Sequence, residues 1–237
     1  VARIDDFYIA AGNRAPLITD LPSDTGKEIF EMAVRIFESL LDQNEDGTVD
    51  HPYLVNSLAE HLAFVIDHTD VTNEEEVKIQ SFFGNYVMTM KSNIWPYMPS
   101  FSSSDCSLSL TELNTSLWRP ETYNALWEEC FHTITEAINR VNPEFNFDHG
   151  SILGSYLQAD IDNGSYDISE QNELEDDGYD FLTGVNEYVH QIWLINLCNR
   201  QNILNQYQLS VLEHISAVGV PLTVNPDYNL ELAEVVK

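Results

Sequence analysis

Oxygen-bearing side chains recur at every second position of one short acidic segment of the chain. A hard cation such as Ca²⁺ takes roughly six to eight oxygen ligands at short range, so alternating acids on a tight turn can converge on one ion. Gly47 lies inside the segment and tolerates the positive φ that such a turn needs. The segment therefore predicts a divalent-cation site with ligands from Asp42, Asn44, Asp46, Thr48 (through its carbonyl) and Asp50.

Two helices are expected to hold this segment. Apolar residues recur at helical spacing from Ile29 to Leu41, and Thr25 can cap the helix that they define. A second apolar pattern runs from Leu54 to Ile66. The sequence therefore predicts a helix–loop–helix unit over residues 28–68.

The segment Asp42–Asp50 resembles the loop of the EF-hand superfamily, and echoes of that loop occur elsewhere. Phe101–Glu112 and Asn202–Glu213 keep only its ending, and both are expected to be empty. A distorted second cation site is expected at Asp160, Asp162 and Glu173. In the first loop, Tyr53 stands where the family has a bidentate glutamate, which predicts weak binding.

The resemblance implies an all-α fold, an EF-hand-like helix–loop–helix bundle with two paired halves. The expected organisation is an extended arm at 1–25, a first pair at 26–118, a second and degenerate pair at 119–220, and a tail at 221–237. Further helices are predicted from Asn73 to Met90, from Pro120 to Ile138, near 148–158, over Phe181–Arg200 and over Leu209–Val218, and strand signals are scarce.

The charge balance limits the partners of the chain. Ten Lys+Arg residues against 39 Asp+Glu residues give a net charge of −29. Such a polyanion repels nucleic acid and anionic lipid but attracts divalent cations. No apolar run approaches the ~20 residues that span a bilayer, so no membrane span is expected. A homo-oligomer stays open.

Cysteine usage and two glycosylation sequons bear on localisation. Cys106, Cys130 and Cys198 allow at most one internal disulfide, and free, buried thiols are the simpler interpretation. The sequons are Asn114-Thr115-Ser116 and Asn163-Gly164-Ser165. They favour an extracellular, secreted protein over a cytoplasmic one.

Two functions from different classes remain open. The first is a calcium-binding or calcium-buffering protein. The second is an EF-hand-like bundle that holds an apolar small molecule, such as a carotenoid pigment or a luciferin, among its 26 aromatic residues (11 Phe, 11 Tyr and 4 Trp). His61 and His68, seven residues apart on one predicted helix face, allow a ligand role, although paired surface or packing histidines are far more common. The sequence contains no catalytic motif, so an enzyme is not expected.

Overall fold

The computed structural model describes residues 2–5, 7–11, 25–58, 62–67, 86–91, 125–168 and 181–224. The described helices are α1 (Thr25–Leu41), α2 (Pro52–Leu58), α3 (Ala125–Val141), α4 (Ile152–Asp162), α5 (Phe181–Leu197) and α6 (Gln206–Ala217), with a 3-10 turn at Gln201–Ile203. The strands are β1 (Ala2–Ile4), β2 (Phe7–Ala11), β3 (Leu62–Asp67) and β4 (Tyr86–Lys91). The described residues are mostly helical, which agrees with the predicted class at that level.

The chain divides into two compact units. Among the described residues, unit 1 contains the four strands, α1, α2 and residues 125–137 of α3. Unit 2 contains residues 138–168 and 181–224, with α4, α5 and α6. The two EF-hand-like pairs predicted over 26–118 and 119–220 stay a prediction.

A four-stranded sheet in unit 1 has the order β1-β2-β3-β4. The first two strands form an antiparallel hairpin with Ile4 opposite Phe7. The pairs β2–β3 and β3–β4 are parallel. Parallel neighbours need a long crossover, and α1, the acidic segment and α2 lie in the crossover between β2 and β3. Both ends of the connection that carries the acidic segment are therefore fixed in one sheet.

Two local helix predictions are wrong. The second helix ends at Leu58, and residues 62–66, predicted as its continuation, belong to β3. The predicted third helix falls at 86–90 on β4, and its residues 73–85 lie outside the described residues. Leu62–Ile66 is an unbroken apolar run, which suits a strand between two parallel neighbours as well as a helix face.

The first helix packs on the hairpin in unit 1. Its face formed by Ala33, Ile36, Phe37 and Leu40 is buried, as are Ile4, Phe7 and Ile9. The rings of Phe7 and Phe37 have centroids 4.7 Å apart. Burying each large side chain contributes roughly 1.5–3 kcal/mol, so this interface fixes α1 and the position where it ends.

Three mutually contacting helices, α4, α5 and α6, form the core of unit 2. The predicted last helix begins three residues early, at Gln206, because Asn205 caps it. The Asn205 side chain accepts bonds from the backbone of Tyr207 and Gln208, and the Gln208 side chain accepts from the Asn205 N–H. This capping box fixes where α6 starts.

Candidate functional site

The acidic segment curls immediately after α1. The backbone N–H of Asp42 still donates to the Glu38 carbonyl at 2.8 Å, so the helix geometry carries the chain into the turn. Leu40, Leu41 and Asp42 are buried, whereas residues 43–48 are exposed. The segment is thus anchored at its first residue and open to solvent over the next six.

Backbone N–H groups of the segment donate to its own side-chain oxygens. Asp42 accepts from the N–H of Asp46 at 3.0 Å and from the N–H of Gly47 at 2.7 Å. Asn44 also accepts from the N–H of Asp46, at 3.0 Å, and Asp46 accepts from the N–H of Thr48 at 2.9 Å. Gly47 has φ +83, the conformation for which glycine was expected there.

Asp50 closes the turn against its beginning. Its carboxylate accepts from the N–H of Gln43 at 2.6 Å and from Asn44 Nδ2 at 2.7 Å. Its own N–H donates to the Leu41 carbonyl at 2.8 Å. The side chains of Asp42, Asn44, Asp46 and Asp50 thus meet in one hydrogen-bonded turn, which also includes the backbone of Thr48.

The β1–β2 hairpin braces this turn through Asp5. The N–H of Asp5 donates to the Gly47 carbonyl at 3.2 Å, and Asp5 Oδ2 accepts from the N–H of Val49 at 2.8 Å. Val49 is buried. The backbone N–H of Val49 thus contacts the hairpin. The hairpin therefore fixes the second half of the turn.

The environment of Glu38 shows the electrostatic cost of the segment. Partial burial raises the pKa of its carboxyl, and the charges of Glu45 and Asp42 raise it further. The charge of Arg35 opposes this rise without reversing it. A cation in the turn would relieve the same repulsion.

The place expected for a bidentate glutamate has no carboxylate. Tyr53 is the second residue of α2 and 45% exposed, and its N–H donates to His51 Nδ1 at 3.2 Å. Its ring stacks with the His51 ring at a centroid distance of 6.0 Å. The structure thus leaves the Tyr53 side chain free to be replaced without loss of core packing.

Asp160, predicted as a weak cation ligand, lies fully buried in unit 2. Its carboxylate accepts from Tyr188 Oη, Gln208 Nε2 and Asn205 Nδ2, each at 2.7 Å, and from Asn163 Nδ2 at 3.3 Å. Burial, together with the bond to Asp160, raises the pKa of Tyr188. These neutral donors occupy the lone pairs that a bound ion would need. The hydrogen bonds of Asp160 instead connect α4 with α5 and α6.

The rest of the weaker cation site is not assembled around Asp160 in the described residues. Asp162 is exposed and accepts from Gln158 Nε2 at 2.8 Å, while Glu173 lies outside the described residues. The echo at Asn202–Glu213 falls on the 3-10 turn and the first turns of α6, and Phe101–Glu112 lies outside the described residues. The second site therefore stays a prediction.

Sequence reasoning missed glutamate–histidine pairs that could supply metal ligands. In unit 1, Glu128 and His132 lie four residues apart on α3 and both are buried. Burial lowers the pKa of His132 to about 3, so its imidazole is neutral, the form that binds metals. In unit 2, Glu187 and His190 lie three residues apart on α5. The sequence signal for these pairs is a glutamate followed by a histidine three or four residues later on a helix. Spacing between one histidine and another does not reveal them.

The cysteines divide into two kinds. Cys130 is free and buried, as expected, and burial raises the pKa of its thiol well above its ordinary value. Cys198 is disulfide-bonded, so the expectation of free thiols is wrong for that residue. Buried thiols and disulfides have the same sequence signature in a chain with three cysteines.

Four large aromatic side chains on α3 and α5 that could line a cavity for an apolar ligand are core residues. Trp127 and Phe131 are buried in unit 1, and Tyr188 and Trp193 are buried in unit 2. Trp193 Nε1 donates to the Pro221 carbonyl at 2.8 Å. Binding of a pigment or luciferin stays a prediction.

Neither membrane-spanning helices nor similarity to known proteins assigns a function to the described part of the chain. No helix in the described part of the chain is long and apolar enough to cross a membrane. No protein-family model, no curated protein and no solved structure matches the chain. The resemblance to EF-hand loops therefore rests on the segment Asp42–Asp50 alone.

Proposed function

We propose that this protein binds calcium in the turn Asp42–Asp50, through Asp42, Asn44, Asp46, Asp50 and the carbonyl of Thr48. One observation supports this proposal above the others. Four oxygen-bearing side chains already accept backbone N–H donors within one turn, in a chain whose net charge is −29. An ion would bind a turn whose side chains are already ordered by hydrogen bonds, rather than order a floppy loop.

The hydrogen bonds of the turn leave room for an ion. Each carboxylate oxygen has two lone pairs, and one backbone N–H uses one of them. One Asp42 carboxylate oxygen accepts from the Gly47 N–H and the other accepts from the Asp46 N–H. One Asp46 oxygen accepts from the Thr48 N–H. Lone pairs therefore remain on the oxygens of both aspartates. The exposed face of residues 43–48 gives the ion a path to them.

The absence of a glutamate at position 53 determines how tightly we expect calcium to bind. Without a bidentate ligand from position 53, we expect a dissociation constant in the range of extracellular calcium modules, about 10⁻⁴–10⁻³ M. The disulfide at Cys198 supports an extracellular setting, because disulfides persist in oxidising compartments. Weak calcium binding and secretion are thus parts of one proposal, a secreted acidic protein that calcium stabilises or that buffers calcium.

Thermal unfolding of Asp46→Ala tests the proposal. At 10 mM Ca²⁺ and a dissociation constant near 1 mM, binding should add about 1.4 kcal/mol to the free energy of unfolding of the wild type, or roughly 3–6 °C in Tm for a chain of this size. Asp46 is exposed and its side chain accepts only the Thr48 N–H, so its loss should cost little in chelator. Asp42 is a poorer choice because its carboxylate accepts two backbone donors.

The matched control is Glu144→Ala, which removes an exposed acid from unit 2. The proposal expects the calcium-dependent rise in Tm to persist in Glu144→Ala and to vanish in Asp46→Ala. Sodium chloride at equal ionic strength separates binding from screening of the polyanion. An equal calcium response in all three proteins would remove the proposal.

A further inference from the structure

The turn that follows α4 in unit 2 presents one of the two sequons of the chain. The sequon Asn163-Gly164-Ser165 comes directly after Asp162, the last residue of the helix. Asn163 is the C-cap of α4 with φ −94 and ψ −1, and Gly164 continues the turn with φ +76. Asn163 and Gly164 are both exposed. The acceptor asparagine therefore lies in a surface turn, where a carbohydrate chain can extend into solvent.

The space around the turn is open. A Cβ built on Gly164 would meet no atom within 4 Å, so nothing crowds the middle of the sequon. The Asn163 side chain makes two local hydrogen bonds: Oδ1 accepts from the Ser165 N–H at 2.9 Å, and Nδ2 donates to Asp160 Oδ1 at 3.3 Å. An amide nitrogen carries two hydrogens, and the second is not needed for this contact. Attachment of a sugar at Nδ2 is compatible with the fold of the turn.

A second feature of unit 2 points to the compartment in which such attachment takes place. Cys198, just beyond the C-terminal end of α5, is disulfide-bonded. Structural disulfides form in the oxidising secretory route, and N-glycosylation of Asn-x-Ser/Thr takes place on surface turns of proteins that follow it. An exposed sequon and a disulfide in one unit are independent marks of the same route.

We propose that Asn163 is an N-glycosylation site. The amide nitrogen Nδ2 attacks the anomeric carbon of an oligosaccharide carried on a lipid diphosphate. The bond from that carbon to the diphosphate oxygen breaks, the lipid diphosphate leaves, and the amide proton passes to the transferase. No oxidant or reductant takes part. The modification does not depend on calcium binding in unit 1, and either can fail without the other.

The chain offers matched variants for the test. Ser165→Ala destroys the sequon but keeps Asn163 and its bond to Asp160, whereas Ser165→Thr keeps the sequon. Asn114→Gln removes the other sequon. The full chain should be directed into the secretory pathway of a eukaryotic cell, collected from the medium and treated with an endoglycosidase that leaves one N-acetylglucosamine on each occupied asparagine. This residual sugar separates glycosylation from deamidation of the Asn163 side chain.

Peptide mass spectrometry then gives the answer. We expect the residual sugar on Asn163 in the wild type, in Ser165→Thr and in Asn114→Gln, and a bare Asn163 in Ser165→Ala. The intact mass of Ser165→Ala should fall by one glycan relative to the wild type. A bare Asn163 in the secreted wild type and in Ser165→Thr would overturn the proposal, whatever the state of Asn114.

Discussion

Single residues decide whether the acidic turn can hold an ion. Asp42 combines burial with two backbone donors, so it serves as the fixed point around which the exposed acids are arranged. Asp50 ties the end of the turn to its start. Only position 53 breaks the ligand pattern, and its tyrosine is exposed on a short helix. The proposed calcium site therefore lacks the ligand expected at position 53.

Tyr53→Glu should restore that ligand. Tyr53 is 45% exposed, so the substitution sacrifices little packing, and a carboxylate at this position can bind the ion through two oxygens. We expect calcium affinity to rise by about tenfold or more, measured by isothermal titration calorimetry. Tyr53→Gln is the matched control, because it has nearly the same shape without the charge. A rise that is equal in both variants would count against ligation.

The carboxyl of Glu129 gives unit 1 a pH dependence of its own. Removal from water and the neighbouring charge of Glu136 raise its pKa from 4.5 to about 7. The folded chain thus holds this proton more tightly than the unfolded chain. The resulting stabilisation is complete below pH 4.5 and is lost as the pH rises through about 7.

Glu129→Gln removes this titration. We expect its free energy of unfolding to exceed that of the wild type by about 3 kcal/mol at pH 8, with little difference near pH 4.5. Urea unfolding at both pH values measures the difference. A gain that is the same at pH 4.5 and pH 8 would show that Glu129 is not the titrating group.

At the scale of the secondary-structure elements, hydrogen bonds to one buried carboxylate connect the three helices of unit 2. Asp160, near the end of α4, accepts from Tyr188 on α5, from Gln208 on α6 and from the cap residue Asn205. A carboxyl group that is fully buried among neutral donors needs its hydrogen bonds, because an unmet donor or acceptor in the interior costs about 1–3 kcal/mol. The packing of the three helices is therefore linked to this polar centre.

Asp160→Ala should be strongly destabilising. It leaves the donors of α5 and α6 without their acceptor, and we expect the free energy of unfolding to fall by about 3 kcal/mol or more, by urea denaturation. Asp162→Ala, two residues along the chain and exposed, should stay within about 0.5 kcal/mol of the wild type. Similar losses in the two variants would contradict the role of Asp160 as the centre of the network.

At the scale of the whole molecule, local patterns predicted helices well and tertiary partners poorly. The apolar spacing of α1 and the turn chemistry around Gly47 are properties of a few neighbouring residues, and both appear where expected. The strand at 62–67 was missed because an apolar run looks alike in a buried helix and a parallel strand. The donors to Asp160 come from residues up to 48 positions away, which no local pattern contains.

The overall negative charge attracts calcium to the whole surface of the chain as well as to the turn. A chain of net charge −29 gathers cations without a specific site, and such condensation changes stability and mobility in ways that resemble binding. A decisive measurement must therefore report on the turn itself. The N–H of Gly47, which donates to Asp42 Oδ2 at 2.7 Å, is a suitable probe.

The most direct test is a calcium titration of the ¹⁵N-labelled chain followed through the Gly47 amide by NMR, at constant ionic strength. An ion held by Asp42 polarises the hydrogen bond from the Gly47 N–H to that carboxylate. The chemical shift of the Gly47 amide proton should therefore move downfield and reach a plateau as calcium is added. The movement should be absent in Asp46→Ala. A Gly47 signal that does not move, or that moves without saturating and alike in both proteins, would contradict calcium binding in the turn.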